Sequence, residues 1–173
     1  MSESTTFSSA LPVIVFTRPE DQPNLDWQEF DRGPGYFNIE AGYEIAVKIK
    51  SIDDQVLGQL VEDLKPVKAL RYLDLVENRN ITNEGLAKLK NLPQLTALNL
   101  SSCSITSSGM KHLQELVNLN RLHLSYCNKL NDPALKTFEA MRALTYVDLQ
   151  GCLGFTKGGL ARIRRRNLEI YRG

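Results

Sequence analysis

The chain has little of what marks a stapled, membrane-spanning or nucleic-acid-coating protein. It holds three cysteines in 173 residues, an odd number. Cys103, Cys127 and Cys152 are spread through the second half of the chain instead of being paired. That pattern argues against a disulfide framework and for a reducing compartment. No apolar run approaches the ~20 residues a membrane helix needs. The start, Met1 to Ala10, is rich in Ser and Thr and lacks a basic region, and Leu11 to Phe16 is too short to be the apolar core of a leader. The expectation is a cytoplasmic protein with no membrane insertion. The net charge is only +1, which leaves no global field to gather nucleic acid or anionic lipid. Only two histidines are present, and they share no position with the cysteines, so neither a metal nor a cofactor is expected.

The charge is unevenly placed. Residues 1–42 carry a net −5 and the remainder +6. The composition divides the chain into three stretches. Residues 1–10 are polar and nearly uncharged, which suggests disorder. Residues 11–42 begin with the strand-like Leu11-Pro-Val-Ile-Val-Phe16 and are then punctuated by Pro and Gly. Trp27, Phe30, Tyr36, Phe37 and Ile39 give this stretch something to bury, and its expected role is to cap the rest of the chain. Residues 43–69 alternate Ile45, Val47 and Ile49 as a strand and then carry Val56, Leu57, Leu60, Val61 and Leu64 at helical spacing, ending before Pro66.

From Leu70 the chain repeats every 24 or 25 residues. The first unit reads Leu70-x-x-Leu73-x-Leu75-x-x-Asn78-x-x-Ile81-Thr82-x-x-Gly85-Leu86-x-x-Leu89-x-x-Leu92. Copies begin at Leu95, Leu119 and Leu144. This resembles the leucine-rich repeat family, whose units each give one strand and one helix to a solenoid. The Cys at the fourth conserved position, with Ile-Thr-x-x-Gly-Leu, resembles the cysteine-containing subclass. The implied fold is α/β, a short right-handed horseshoe over 43–173 with six parallel inner strands, outer helices and an N-terminal cap over 11–42. The last helix is expected to begin at Gly159 and run to Arg164, and the last strand to cover 168–171.

Residue types accord with that register. The two leucines of each x-Leu-x-Leu-x point inward and their neighbours outward. Thr82, Thr106, Asn131 and Thr156 stand where helix N-caps belong. The small residues Gly85, Gly109, Ala134 and Gly159 imply close packing against a neighbouring turn. Asn78, Cys103, Cys127 and Cys152 share the strand-to-loop corner. The resemblance implies a structural ladder there, donating to loop carbonyls, and not a metal or redox site.

The outward strand residues form the candidate binding face. One row is Tyr72, Ala97, Arg121 and Tyr146. The central row is Asp74, Asn99, His123 and Asp148, and a third is Val76, Ser101, Ser125 and Gln150. Lys48 extends the face on the N-terminal side. Tyr and Arg are enriched among interface hot spots. His123 beside Asp148 lacks an activated nucleophile, so no catalytic residue is expected. The expectation is a non-enzymatic module or accessory subunit that binds another protein through this concave face. An alternative is a substrate adaptor of a ubiquitin-ligase-like complex, since the cysteine-containing subclass is known from such receptors. A second alternative uses the C-terminal cluster Arg162, Arg164, Arg165 and Arg166 as a secondary contact or against nucleic acid, the latter disfavoured because no aromatics interleave it. The acidic start and the basic end also allow head-to-tail self-association.

Overall fold

The computed structural model describes residues 3–163 and 165–173. Five strands come first: β1 Thr5–Ser9, β2 Ile14–Pro19, β3 Gln28–Arg32, β4 Gly35–Ile39 and β5 Tyr43–Lys48. Helix α1 spans Asp54–Leu64. Then come β6 Leu70–Asp74, α2 Asn83–Lys88, β7 Ala97–Asn99, β8 Arg121–His123, α3 Leu135–Ala140, β9 Tyr146–Asp148, α4 Lys157–Leu160 and β10 Glu169–Tyr171. One sheet has the order β10-β9-β8-β7-β6-β5-β2-β3, and β1 pairs with β4 in a second. From β5 to β10 every pairing is parallel, while β2 is antiparallel to both β5 and β3. The described residues thus form an α/β solenoid with six parallel strands.

The repeat leucines explain the stacking. Leu73, Leu98, Leu122 and Val147 are fully buried, as are Leu75, Leu100 and Leu124 on the same face of their strands. Each such side chain contributes roughly 1.5–3 kcal/mol by leaving water. Every unit then leaves its strand through a left-handed residue. Ser51, Glu77, Ser102 and Tyr126 have φ near 60°, and Gly151 has φ 70°. This conformation costs a non-glycine residue about 1–2 kcal/mol. It is offset because the N–H of Glu77, Ser102 and Tyr126 still reaches a carbonyl of the next unit, that of Ser101, Ser125 and Gln150, at 2.9, 2.8 and 2.7 Å.

The corner residues spend their side chains on backbone groups. Asn78 Nδ2 donates to the carbonyls of Ile49 and Leu75 at 2.9 and 3.0 Å, and its Oδ1 accepts from the N–H of Ile52 at 2.9 Å. Cys103, Cys127 and Cys152 donate Sγ–H to the carbonyls of Leu75, Leu100 and Leu124. Burial pushes the Cys103 and Cys127 thiols up to about 12 and raises that of Cys152. Protonated thiols spent on carbonyls are poor nucleophiles and poor metal ligands at neutral pH.

A second ladder joins the helix starts. Asp54 accepts from the N–H and the hydroxyl of Thr82, at 2.8 and 2.6 Å. Asn83 accepts the N–H of Thr106 through Oδ1 at 3.0 Å and donates from Nδ2 to the Thr106 hydroxyl at 2.7 Å. Ser107 holds Asn131, and Asp132 holds Thr156. This column accounts for the small residues. A Cβ on Gly85, Gly109 or Gly159 would run into the side chain of Asp54, Asn83 or Asp132 respectively. Where the ladder residue is the short Ser107, the corresponding position is Ala134. Gly109→Ala is therefore expected to destabilise the fold by about 1–2 kcal/mol through overpacking. Adding Asn83→Ser, which copies the Ser107–Ala134 pair, should return at least half. A double-mutant cycle by urea unfolding reads the coupling, and strict additivity would show that the two positions do not touch.

Several sequence expectations need correction. Residues 5–9 of the stretch read as disordered form β1, with Phe7 stacked on Phe37 at a centroid distance of 4.8 Å. One phenylalanine on the inner face is enough to dock the short polar strand. Of the aromatics in 11–42 only Phe37 enters the core, with Ile39; Phe30 and Tyr36 are exposed. The unit starting at Leu95 has no α-helix: Met110–Glu115 is a 3-10 helix. Its unit is one residue shorter than the one before, and a 3-10 turn rises more per residue, ~2.0 Å against 1.5. Of the caps, Thr82 and Thr156 accept from backbone N–H groups of their helices, whereas Asn131 makes no such bond and is spent on Ser107. The last helix is Lys157–Leu160, shorter and earlier than 159–164, and Arg164 lies outside the described residues.

Candidate interaction surface

Parallel pairing places the outward residues in straight rows. Tyr72, Ala97, Arg121, Tyr146 and Glu169 are in register across β6 to β10, and Asp74, Asn99, His123, Asp148 and Tyr171 form the next row. Lys48 pairs with Asp74 across β5 and β6, with Nζ 3.1 Å from Oδ2. All eight candidate residues therefore share one face of one sheet.

Their tasks differ. Asp74, Asn99 and Asp148 each accept the backbone N–H of the residue two positions on, namely Val76, Ser101 and Gln150, at 3.1, 3.0 and 2.8 Å. These side chains shape the turn that leaves each strand, which is the local habit of Asp and Asn. Asp148 also takes the Ser125 hydroxyl at 2.6 Å. His123 Nδ1 is 3.8 Å from Asp148, too far for a hydrogen bond. The pair is not an acid–base dyad: Asp148 is already occupied, and the Ser125 hydroxyl is held by it.

Arg121 is freer, whereas Tyr72 is half-buried beside Asn99 and Trp27. Burial, with Asp74 nearby, pushes the Tyr72 phenol up to about 12, so it stays a neutral donor. Arg121 lays its guanidinium 4.7 Å from the centre of the Tyr146 ring and has no acidic partner among the described residues. Burial lowers the pKa of His123, Asp148 opposes the shift and Arg121 adds to it. The folded state thus disfavours the imidazolium. Stability should be level above the unfolded histidine pKa of ~6.5 and fall as pH drops from there to the lower folded value. His123→Gln should flatten a plot of melting temperature against pH below about 6.5. An equal slope in the variant would assign the dependence elsewhere.

The structure adds residues that the repeat pattern does not reveal. The connection from β2 to β3 folds over the N-terminal side of the face. Trp27 meets Tyr72 at 6.3 Å between ring centres, and the Arg18 guanidinium stacks 4.3 Å from the Trp27 ring. Arg18 also donates to the Pro23 carbonyl and pairs with Glu44, which Arg71 approaches from its other oxygen. The core expected to take Trp27 does not hold it. At strand spacing Trp27 has apolar Leu25 on one side and acidic Glu29 on the other, so the sequence carries no signal for its real place.

The C-terminal arginines are not one patch. Arg165 donates to the carbonyls of Phe138, Met141, Arg142 and Leu144, closing the last turns of the preceding unit. Arg172 donates to the carbonyl of Phe155. Arg162 and Arg166 are exposed. Among the described residues no group of three or more His, Cys, Asp or Glu is placed to hold a metal ion, and no helix is long and apolar enough to cross a membrane.

Two segments match leucine rich repeat patterns, residues 93–153 and residues 69–90. No curated protein matches the chain. Among solved structures the chain is similar to one from the complex of Rad7 and Elc1 in yeast. The TM-score is 0.58 at 18% identity, covering 71% of this chain and 31% of that one. It is also similar to leiomodin-1 actin-binding site 2, with TM-score 0.51 and 17% identity over 70% of this chain and 79% of that one. The chain therefore spans about a third of the first of these neighbours. At such identities the likeness is one of fold.

Proposed function

We propose that this chain is a non-enzymatic binding module that grips another protein through the concave sheet face. The observation that carries this reading is the row Tyr72, Ala97, Arg121, Tyr146. Two aromatic rings and an arginine without an acidic partner among the described residues stand on neighbouring strands, held by the hydrogen-bonded backbone of a parallel sheet. Rigid anchors of this kind lose little entropy on binding. The repeat patterns and the two fold neighbours, one from a protein complex and one an actin-binding site, are in keeping with a protein partner. The N-terminal strands are read as the cap of the solenoid, since β2 and β3 extend the sheet beyond the first repeat.

The test has two steps. Affinity capture from the native cell supplies a partner, and calorimetry then measures alanine variants of Tyr72, Arg121, His123 and Tyr146. At least one should cost about 2 kcal/mol, a roughly thirtyfold loss. Arg162→Glu with Arg166→Glu is the matched control for the C-terminal surface. Loss confined to the control would place binding at that end instead.

A further inference from the structure

Between the overhanging Trp27 and the repeat strands lies an open cavity of about 460 Å³. Trp27 and Tyr72 form one wall and Arg121 the opposite one, with Ala97 between them in register on β7. Adjacent strands are ~4.8 Å apart, so the aromatic wall and the Arg121 strand stand about 10 Å apart. Ala97 gives this gap its depth, because any longer side chain there would fill it.

The charges lining the cavity do not balance. Glu44 is divided between Arg18 and Arg71, while Arg121 has only the face of Tyr146. Arg18 Nε is buried without a hydrogen-bond partner, so even the paired arginine keeps one donor unused. His123 at the margin is held neutral and adds no positive charge. The site thus has one free guanidinium, an apolar aromatic wall and a modest positive excess.

From this geometry we infer that the cavity receives a single carboxylate side chain, Glu or Asp, from an extended segment of the protein partner. The inference rests on the concave-face reading and gives the partner a chemistry. A planar carboxylate suits a single guanidinium, which offers two parallel N–H donors to it. A phosphate dianion would seek several cations and would meet Glu44 at the wall. A nucleic-acid backbone running along the sheet would meet Asp74 and Asp148 in the next row, which repel it. The methylene stem of a glutamate would lie against Trp27 and Tyr72.

Trp27 is the only tryptophan in the chain, so emission reports on the surroundings of this one ring. The experiment selects a displayed random heptapeptide library on the full chain, then titrates the best synthetic peptide with Trp27 fluorescence as the signal. The expected result is enrichment of peptides with Glu or Asp and a shift of Trp27 emission on binding. Replacing the acid by its amide isostere should lose at least tenfold in affinity, and so should Arg121→Gln, whose exposed position leaves the fold intact by thermal melt. Selected peptides without an acid, no enrichment at all, or tighter binding of the phosphoserine peptide or a single-stranded RNA 12-mer would overturn the inference. So would binding that is silent at Trp27. If such silent binding is lost in Lys48→Glu or Tyr146→Ala, the concave face still binds and only the cavity is wrongly assigned. If it survives all these variants, both readings fail.

Discussion

Deleting residues 1–10 is expected to lower the stability of the chain by about 3–5 kcal/mol, the usual cost of removing a buried phenylalanine. Phe7 is 6% exposed and stacks on Phe37, which is 1% exposed. Strand β1 pairs with β4 through five positions, and the Ser9 hydroxyl donates to Asp63 of α1 at 2.6 Å. The strand therefore ties the N-terminal hairpin to the first helix. A solenoid unit contacts only its neighbours, so loosening the terminal unit exposes the apolar end of the stack. Urea unfolding of the truncated chain, with Phe7→Ala as the single-residue version, measures the loss. A denaturation midpoint equal to that of the full chain would show that β1 contributes nothing to stability.

Asn78→Ala carries the second large effect. Asn78 is 1% exposed and satisfies two carbonyls and one N–H. Alanine leaves the groups of Ile49, Leu75 and Ile52 without this partner, each buried polar group costing about 1–3 kcal/mol. A total near ~3 kcal/mol or more is expected after partial relaxation. Asn78→Cys should cost less, because a thiol restores one donation to the preceding unit, as Cys103 does for Leu75. It cannot accept as well from the Ile52 N–H, so it should not reach the stability of Asn78. Chemical unfolding of the three proteins orders them, and Ala equal to Cys would remove the corner ladder as a source of stability.

The rows of the outward sheet face were legible because a parallel solenoid repeats its register. Once Leu73 and Leu98 were aligned, Tyr72, Arg121 and Tyr146 had to fall in one line. The corner ladder was legible for the same reason, with Asn78 and three cysteines in phase. The helix-start ladder was not: Asp54, Asn83, Ser107 and Asp132 are three residue types at four positions, and their partners Thr82, Thr106, Asn131 and Thr156 read only as helix caps. What showed was its shadow, the run of small residues at 85, 109, 134 and 159. Outside the repeats no register carries information. Thr5–Ser9 has one apolar residue facing inward, too little to read as a strand, and Trp27 gave no hint that it would lie over Tyr72. Arg165 looked like part of a basic patch because carbonyls at a chain reversal leave no mark in the sequence.

The central claim is that the partner sits on the concave face, and site-specific photo-crosslinking tests it most directly. Benzoylphenylalanine replaces His123 in one protein, and Lys111 or Lys136, both exposed on the outer elements, in two others. Each is irradiated in the extract of the native cell, with excess unlabelled chain as competitor. The expected result is one discrete adduct from position 123, abolished by the competitor and missing from positions 111 and 136. A competed adduct from 111 or 136, with none from 123, would contradict it.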